Sequence, residues 1–211
     1  MLRVYTLGIH TVSATMNAAL AGYRGSLHAR IFRYMKTNLW NIDSTHTTVG
    51  FGVRHVMVTT VRGVFEKVAG TVRYDEAAPE ATEIHVEIPV ASVSTRDPQR
   101  DGHLRSADFF DAERHPLMTF DSTNVRATGA ESLEVTGNLT LRGVTREVVL
   151  TVRDLAAVPG DFNGNPRRGA SATATVKRSE FGIVFNKVLE AGGVAIADEV
   201  SLRLDISLVK A

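Results

Sequence analysis

Apolar and polar residues alternate along most of the chain beyond Trp40. Near the C-terminus, every second residue from Val200 to Leu208 is apolar, and the residues between them are polar. This period of two is typical of a β-strand with one buried face. Comparable patterns occur in earlier segments at 51–55, 84–88, 119–125, 135–141, 148–152 and 170–176, and 65–74 is predicted to be a long or bulged strand. The pattern therefore predicts about eight strands.

The stretches between these segments indicate how the strands connect. Gly143 lies between two predicted strands, where a tight hairpin needs a residue with positive φ. Ser92–Phe110 is predicted to be a long connection with one or two helical turns, and Asp154–Arg168 a turn-rich exposed loop. Consecutive strands joined in this way form an antiparallel meander, which has to close into a barrel or pack as a two-sheet sandwich.

Small residues on the predicted apolar faces indicate unfilled space. Gly137, Ala170, Ala172 and Ala174 lie where a filled core would usually place leucine or valine. An eight-stranded barrel is wide enough to hold one small ligand besides its own side chains. The small residues therefore favour a cavity, unless a bulky neighbour such as Phe120 fills the space.

Composition narrows the classes of function. The 211 residues are 44% hydrophobic, which is enough for a filled core or a lined cavity. A formal net charge of +1 provides no overall field that would attract nucleic acid, so no nucleic-acid partner is expected. The lack of cysteine excludes disulfides and thiolate nucleophiles. No apolar stretch is long enough for a transmembrane helix.

The first 38 residues differ from the rest, because they contain five basic residues and no acidic one. We interpret residues 1–38 as an N-terminal extension, poorly ordered or forming a short basic helix around Leu27, Ile31 and Met35, and residues 39–211 as the folded domain. The alternative is a signal peptide over residues 1–21, although polar residues interrupt its apolar run. We therefore expect a cytoplasmic protein, with export as the alternative.

Motifs for metal binding or catalysis are not found in the sequence. The spacing of the seven histidines matches neither H-E-x-x-H nor a tight pair on one strand. No G-x-S-x-G elbow and no phosphate-binding glycine loop occur. We therefore expect no metal, no cofactor and no catalytic residue. The alternative is a hydrolase or isomerase that acts on an apolar substrate, with His103 and Asp101 or His55 as acid and base.

The segment 100–111 combines charged residues with Phe109 and Phe110. One interpretation is a helical turn capped by Ser106 or Asp108, with the two phenylalanines closing one end of the core. The other is that the same aromatic residues border a cavity, while nearby basic residues offer hydrogen bonds to a ligand head group.

Nine short motifs in order resemble the YceI-like family of polyisoprenoid-binding proteins. Together they run from Trp40 to the last strand, and they include W-x-I-D-x-x-H at 40–46, V-x-F-x-V-R-H at 49–55, V-R-G-x-F at 61–65, S-V-S-T at 92–95, D-x-H-L-R-S-x-D-F-F-D at 101–111, P-x-x-T-F-x-S-T at 116–123, G-x-L-T-x-R-G-V-T at 137–145, R-S-x-F-G at 178–182 and D-E-V at 198–200. The resemblance implies an extended, eight-stranded antiparallel lipocalin-like β-barrel. It also implies a long apolar tunnel for a polyprenyl chain, a quinone tail or another long amphiphile, and often a homodimer.

The resemblance and the strand pattern together suggest site residues. Strand parity and position select eight residues for the tunnel wall: Phe51, Val53, Phe65, Phe109, Phe110, Phe120, Leu139 and Ala172. Six polar residues are candidates for contact with a ligand head group: Arg54, His55, Arg62, Arg100, His103 and Arg105. The resulting hypothesis is a non-catalytic protein that sequesters or carries an isoprenoid or another long-chain lipid. A barrel with a filled core and no ligand is a third, lesser interpretation.

Overall fold

The structure, a computed structural model, describes residues 38–187 and 195–211. The predicted N-terminal extension lies outside the described residues apart from Asn38, and so do its basic helix and the signal-peptide alternative. Within the described part of the chain, no helix is long and apolar enough to cross a membrane.

The described residues form β-strands joined mainly by short turns. In chain order the strands are β1 (Leu39–Ile42), β2 (Thr48–His55), β3 (Thr59–Phe65), β4 (Ala69–Arg73), β5 (Glu83–Pro89), β6 (Val93–Ser94), β7 (Leu117–Gly129), β8 (Ser132–Leu141), β9 (Val144–Val158), β10 (Arg167–Lys177) and β11 (Ile196–Lys210). One α-helix, α1 (Pro98–Arg105), precedes β7. Single 3-10 turns occur at Pro79–Ala81, Val90–Ser92 and Arg178–Phe181.

Three strands of the barrel are interrupted. β1 and β2 both pair with β11, β3 and β4 lie beside them, and β5 and β6 come next. Counting each interrupted pair as one strand gives eight antiparallel strands, and β11 closes the ring by pairing with β10 on one side and with β1 and β2 on the other. The predicted eight-stranded antiparallel barrel is confirmed.

Local details differ from the pattern-based prediction. The segment predicted as a long or bulged strand over 65–74 is interrupted, because β3 ends at Phe65 and β4 begins at Ala69, and Val68 between them is buried. The exposed loop predicted over Asp154–Arg168 is shorter, because β9 continues to Val158 and β10 already begins at Arg167. The hairpin glycine is as expected, since Gly143 has a φ of 72°.

Ion pairs fasten the junction of β1 and β2 to the start of β10. Asp43 accepts a hydrogen bond from Arg167 and is bonded to Nδ1 of His46 at 2.7 Å. Nε of Arg167 also donates to Asp161 at 2.6 Å. Arg167 first, and His46 second, lower the pKa of Asp43 to about 2. The carboxylate therefore stays ionised well into acid.

Packing inside the barrel is uneven. Val135 and Leu133 on β8 are buried against other side chains, with exposed fractions of 0% and 4%. In contrast, the inward-facing Leu202, Leu204 and Ile206 on β11 are only half-buried, although they point into the barrel. Half-buried side chains on an inner face border empty space, so the interior beside these three residues of β11 is not filled by the protein's own side chains.

Candidate functional site

The interior of the barrel contains an apolar cavity. Its volume is about 260 Å³. Almost all of its lining side chains are hydrocarbon, and they come from every part of the ring. The polar side chains on its wall are those of Thr47, Tyr74, Thr82, Arg168 and Arg178.

All eight residues that the sequence selects for the tunnel wall lie on the wall of this cavity: Phe51, Val53, Phe65, Phe109, Phe110, Phe120, Leu139 and Ala172. Three of the aromatic rings form a chain along it. The ring centroids of Phe51 and Phe65 are 5.7 Å apart, and those of Phe65 and Phe110 are 5.6 Å apart. Their contact with a ligand remains a prediction, whereas their position on the wall is a feature of the fold.

Not every small inner residue leaves room for a ligand. Gly137 faces the ring of Phe120, which occupies the position beside the glycine where a Cβ atom would lie. The space at Gly137 is therefore filled from the neighbouring strand. Ala170 and Ala172 do border the cavity, and Ala172 lies opposite Leu204 in the sheet.

Helix α1 covers one end of the barrel, and side-chain hydrogen bonds cap it at both ends. Asp97 caps the helix by accepting hydrogen bonds from the backbone N–H groups of Gln99 and Arg100. Ser106 follows the last helical residue, and its hydroxyl donates to the carbonyl of His103 and accepts from the backbone N–H of Asp108 at 3.4 Å, as expected for a residue that caps the turn after the helix. Asp97 takes the role because Pro98 starts the helix directly after it.

Two arginines and one aspartate hold α1 against β6. The buried carboxylate of Asp101 accepts hydrogen bonds from the backbone N–H and the hydroxyl of Thr95, at 2.8 and 2.5 Å. Arg100 donates to the same hydroxyl and to the carbonyl of Thr95. Arg105 donates to the carbonyls of Ala91 and Val93. Asp101 and Arg105 of the D-x-H-L-R-S motif thus hold the helix in place through hydrogen bonds to the β6 segment.

None of the six residues suggested for a ligand head group borders the cavity: Arg54, His55, Arg62, Arg100, His103 and Arg105. Arg54 donates to the carbonyl of Met57 at 2.7 Å, and both His55 and Arg62 are exposed. The ring of His103 packs edge-on against Phe109 and Phe185, with centroids 4.9 Å away in each case. These residues have other partners or face away from the cavity, and their contact with a head group remains a prediction.

Arg178 is buried at the α1 end of the cavity. Its guanidinium donates to four backbone carbonyls, those of Ile183, Phe185, Ile196 and Ala197. Burial lowers its pKa from the ordinary range. With four of its five N–H groups bonded to backbone, this arginine has almost no donor left for a ligand. Instead it connects the segment at Ile183 and Phe185 to the first two residues of β11.

At the opposite end of the cavity, two cationic side chains lie against aromatic rings. Arg168 lies between two aromatic rings, with its Cζ atom 5.0 Å from the centroid of Trp40 and 4.8 Å from that of Tyr74. Nζ of Lys210 is 4.3 Å from the same Trp40 ring. Arg168 itself contributes to the cavity wall. Strand alternation could have predicted that both cations face inward. Arg168 is an even number of positions from Ala170 and Ala172, and Lys210 is two positions from Leu208.

The histidines and carboxylates considered for metal or acid–base chemistry have the following surroundings. Within residues 38–187 and 195–211, no group of three or more His, Asp or Glu residues is arranged to hold a metal ion. His103 is bonded to Asp108 at 2.9 Å, while Asp101 is occupied by Thr95. His103 and Asp101 therefore make separate sets of contacts, and His55, the other residue suggested for acid–base chemistry, is exposed.

Comparison with known sequences places the chain among YceI-like proteins. The profile of the YceI-like domain matches residues 40–208. A UPF0312 protein of Pectobacterium atrosepticum is 35% identical over 183 residues, which cover 87% of this chain and 88% of that protein. A UPF0312 protein of Azotobacter vinelandii is 36% identical over 141 residues, which cover 67% of this chain and 73% of that protein.

Solved structures share the barrel. BcnA of Burkholderia cenocepacia superposes with a TM-score of 0.69 at 24% identity, covering 79% of this chain and 98% of that one. The YceI protein of Campylobacter jejuni gives a TM-score of 0.65 at 29% identity, with 80% and 96% covered. A polyisoprenoid-binding domain from Saccharophagus degradans gives 0.60 at 16% identity, with 82% and 98% covered. The first and third likenesses concern the fold alone.

Proposed function

Because the chain belongs to the YceI-like family, we propose that it binds a long-chain amphiphilic lipid inside the barrel and carries or sequesters it without changing it chemically. The ligand classes that fit are polyisoprenoids, isoprenoid quinones and other long-chain lipids. One observation carries the proposal: an apolar cavity runs from the residues beneath α1 to Arg168 at the other end. The polyisoprenoid-binding domain of S. degradans, which has the same fold, adds support for the ligand class.

Burial of hydrocarbon alone accounts for the expected affinity. Each methylene group that leaves water for an apolar site contributes about 0.8 kcal/mol. Affinity should therefore rise with chain length until the cavity is full, and the length and width of the cavity should set specificity. Half-buried side chains on β11 offer the surface that such a chain would cover.

Mass spectrometry of an organic-solvent extract tests the proposal directly. The extract of the purified full-length protein is compared with that of an equal mass of an unrelated soluble protein from the same cells. We expect one polyprenyl, quinone or fatty-chain species enriched to nearly one molecule per chain. An extract with no enriched lipid, together with no uptake of added farnesol or ubiquinone, would contradict the proposal.

A second measurement separates a carrier from an enzyme. The protein is incubated with the extracted lipid for many hours, and the lipid is then analysed again by mass spectrometry. A carrier returns the lipid unchanged. Conversion to a new species that is lost in the His103→Ala variant would support the acid–base alternative and overturn the non-catalytic part of the proposal.

A further inference from the structure

Trp40, Tyr74, Arg168 and Lys210 form a cluster at the cavity end far from α1, called here the Trp40 cluster. Trp40 lies directly opposite Lys210 across the β1–β11 pair and opposite Val72 across the β1–β4 pair. Residues directly opposite each other in a sheet lie on the same face. Since Val72 lines the cavity, Trp40 and Lys210 lie on the inner face as well.

The cluster places two positive charges at the end of the apolar cavity that is far from α1. Arg168 contributes to the cavity wall, and both cations lie against the ring of Trp40. Burial first, and Arg168 second, lower the pKa of Lys210, as expected for a desolvated cation beside another cation. Among the described residues, no carboxylate forms an ion pair with Lys210.

Two hydrogen-bond donors in this cluster lack an acceptor. In the part of the chain that the structure describes, only two buried side-chain nitrogen or oxygen atoms have no hydrogen-bond partner, namely Nε1 of Trp40 and Nε of Arg168. A buried donor without an acceptor costs about 1 to 3 kcal/mol. Both atoms are donors, so the group that would satisfy them is an acceptor. Beside two cations, an anionic oxygen fits best.

We propose that the Trp40 cluster binds the anionic head group of the lipid, a phosphate or a carboxylate, while the hydrocarbon chain extends through the cavity toward α1. This rests on the proposed function and specifies the orientation and head-group class of its ligand. A head group at the α1 end is disfavoured, because four of the five N–H groups of Arg178 there already donate to backbone carbonyls.

Glu76 fits the role of an exchangeable counter-ion. Its Oε1 accepts from Nη2 of Arg168 at 2.6 Å, but the Glu76 side chain is 68% exposed. An anionic head group would compete with this carboxylate for Arg168, and the exposed side chain can turn out into water. Removing the Glu76 charge should therefore tighten the binding of an anionic lipid, whereas removing either cation should weaken it.

Binding of matched ligands with and without a charged head tests the proposal. Farnesyl phosphate, farnesol and inorganic phosphate are titrated into the full-length protein at low salt, and affinities are measured by displacement of the neutral dye N-phenyl-1-naphthylamine and by calorimetry. Trp40 is the only tryptophan of the chain, so its emission reports occupancy of the cluster itself. The variants are Arg168→Gln, Lys210→Gln and Glu76→Gln.

Arg203→Gln serves as the matched control, because Arg203 lies on the same strand as Lys210 but is exposed on the outer face. We expect farnesyl phosphate to bind about tenfold more tightly than farnesol and to shift the Trp40 emission. Lys210→Gln and Arg168→Gln should bring the two affinities together without changing that of farnesol. Glu76→Gln should widen the difference, and Arg203→Gln should leave it unchanged.

Distinct outcomes overturn distinct statements. If farnesol binds but farnesyl phosphate binds no more tightly, the head-group assignment is wrong while the proposed function stands. If neither ligand binds, the head-group assignment is wrong, and the proposed function fails as well when the solvent extract contains no enriched lipid and ubiquinone is not taken up. If inorganic phosphate binds the cluster as tightly as farnesyl phosphate, the site takes free anions and the lipid assignment is wrong. Should Arg168→Gln not fold, Lys210→Gln and Glu76→Gln decide the question through their opposite effects.

Discussion

The ring of Phe120 on β7 lies over Gly137 on β8, in the space that a side chain at position 137 would need. The carbonyl oxygen of Asp121 also lies close, 2.6 Å from where a Cβ atom would be. A bulky aromatic ring covering a strand glycine restores the packing that the glycine lacks. Packing between β7 and β8 therefore depends on the Phe120 ring filling the space that Gly137 leaves.

Gly137→Ala should destabilise the protein, because the new methyl group meets both the Phe120 ring and a backbone oxygen that cannot move far. We expect a loss of about 1 to 3 kcal/mol in the free energy of unfolding, measured by urea denaturation. Gly102→Ala is the matched control, since Gly102 is exposed in α1 and a methyl group there meets nothing within 4 Å. Helix propensity predicts a gain of about 0.5 to 1 kcal/mol for that control, so an equal loss in both variants would refute the packing argument.

Ala172→Phe should fill the cavity and prevent lipid uptake. Ala172 lies on the wall between Val152 and Leu204 of the neighbouring strands, so a phenylalanine ring at this position extends into the space for the ligand. Uptake of farnesol, measured by dye displacement, should fall at least tenfold while circular dichroism still reports a folded barrel.

Thr173→Phe provides the comparison for this variant, because Thr173 is exposed on the outer face and its substitution adds the same ring outside the cavity. Its uptake should equal that of the unchanged protein. If overpacking unfolds Ala172→Phe, Ala170→Phe on the same wall takes its place. Normal uptake by a folded variant with a filled wall would mean that the ligand lies elsewhere.

Arg178→Lys should be costly although it keeps the charge. A lysine ammonium cannot reach four carbonyls spread over two segments of chain, and the unpaired carbonyls would remain beside a buried charge. We expect a loss of about 3 kcal/mol in thermal or urea unfolding. Arg203→Lys, which alters an exposed arginine of the outer face, should change stability by less than about 0.5 kcal/mol. Similar small losses in both variants would show that the carbonyl contacts contribute little.

Stability should fall in acid through Asp43. Its pKa is lowered from 3.8 to about 2 in the folded state, chiefly by Arg167, so the folded state binds the proton less tightly than the unfolded chain does. This contribution is complete above about pH 4 and is lost as the pH falls toward 2. Water reaches the ion pair and screens it, so we expect about 1 kcal/mol. Urea unfolding at pH 5, 3.5 and 2 should show a smaller decrease in Asp43→Asn than in the unchanged protein, and parallel decreases would contradict the assignment.

The strands of this barrel could be predicted because one face of each is apolar. The segments around Ile84, Leu139 and Leu204 alternate without interruption and coincide with β5, β8 and β11. The interruption between β3 and β4 was not predictable in this way, since Val68 is apolar and buried even though it lies outside both strands. The hydrophobic pattern indicates which residues face the interior, not which ones pair in a strand. A break whose apolar residue is still buried therefore changes the pattern very little.

The cavity wall was easier to predict than its charged end. Parity placed Phe51, Phe120 and Ala172 on the inner face from their apolar neighbours alone. Arg168 and Lys210 have the same inward parity, but both lie at strand ends where a charged residue usually indicates solvent. Their environment depends on Trp40, which precedes Arg168 by 128 positions and Lys210 by 170, and only the closed ring brings it to them.

The uneven filling of the interior gives the barrel a mechanical property. Val135 and Leu133 on β8 are fully packed, whereas Leu202, Leu204 and Ile206 on β11 face unoccupied volume. Unfolding eliminates such voids and so decreases the volume of the system, which makes the empty form susceptible to hydrostatic compression. A hydrocarbon chain in the cavity would remove that weakness by supplying the missing contacts. The bound lipid would then complete the hydrophobic core, and the barrel would be more rigid with the lipid bound than without it.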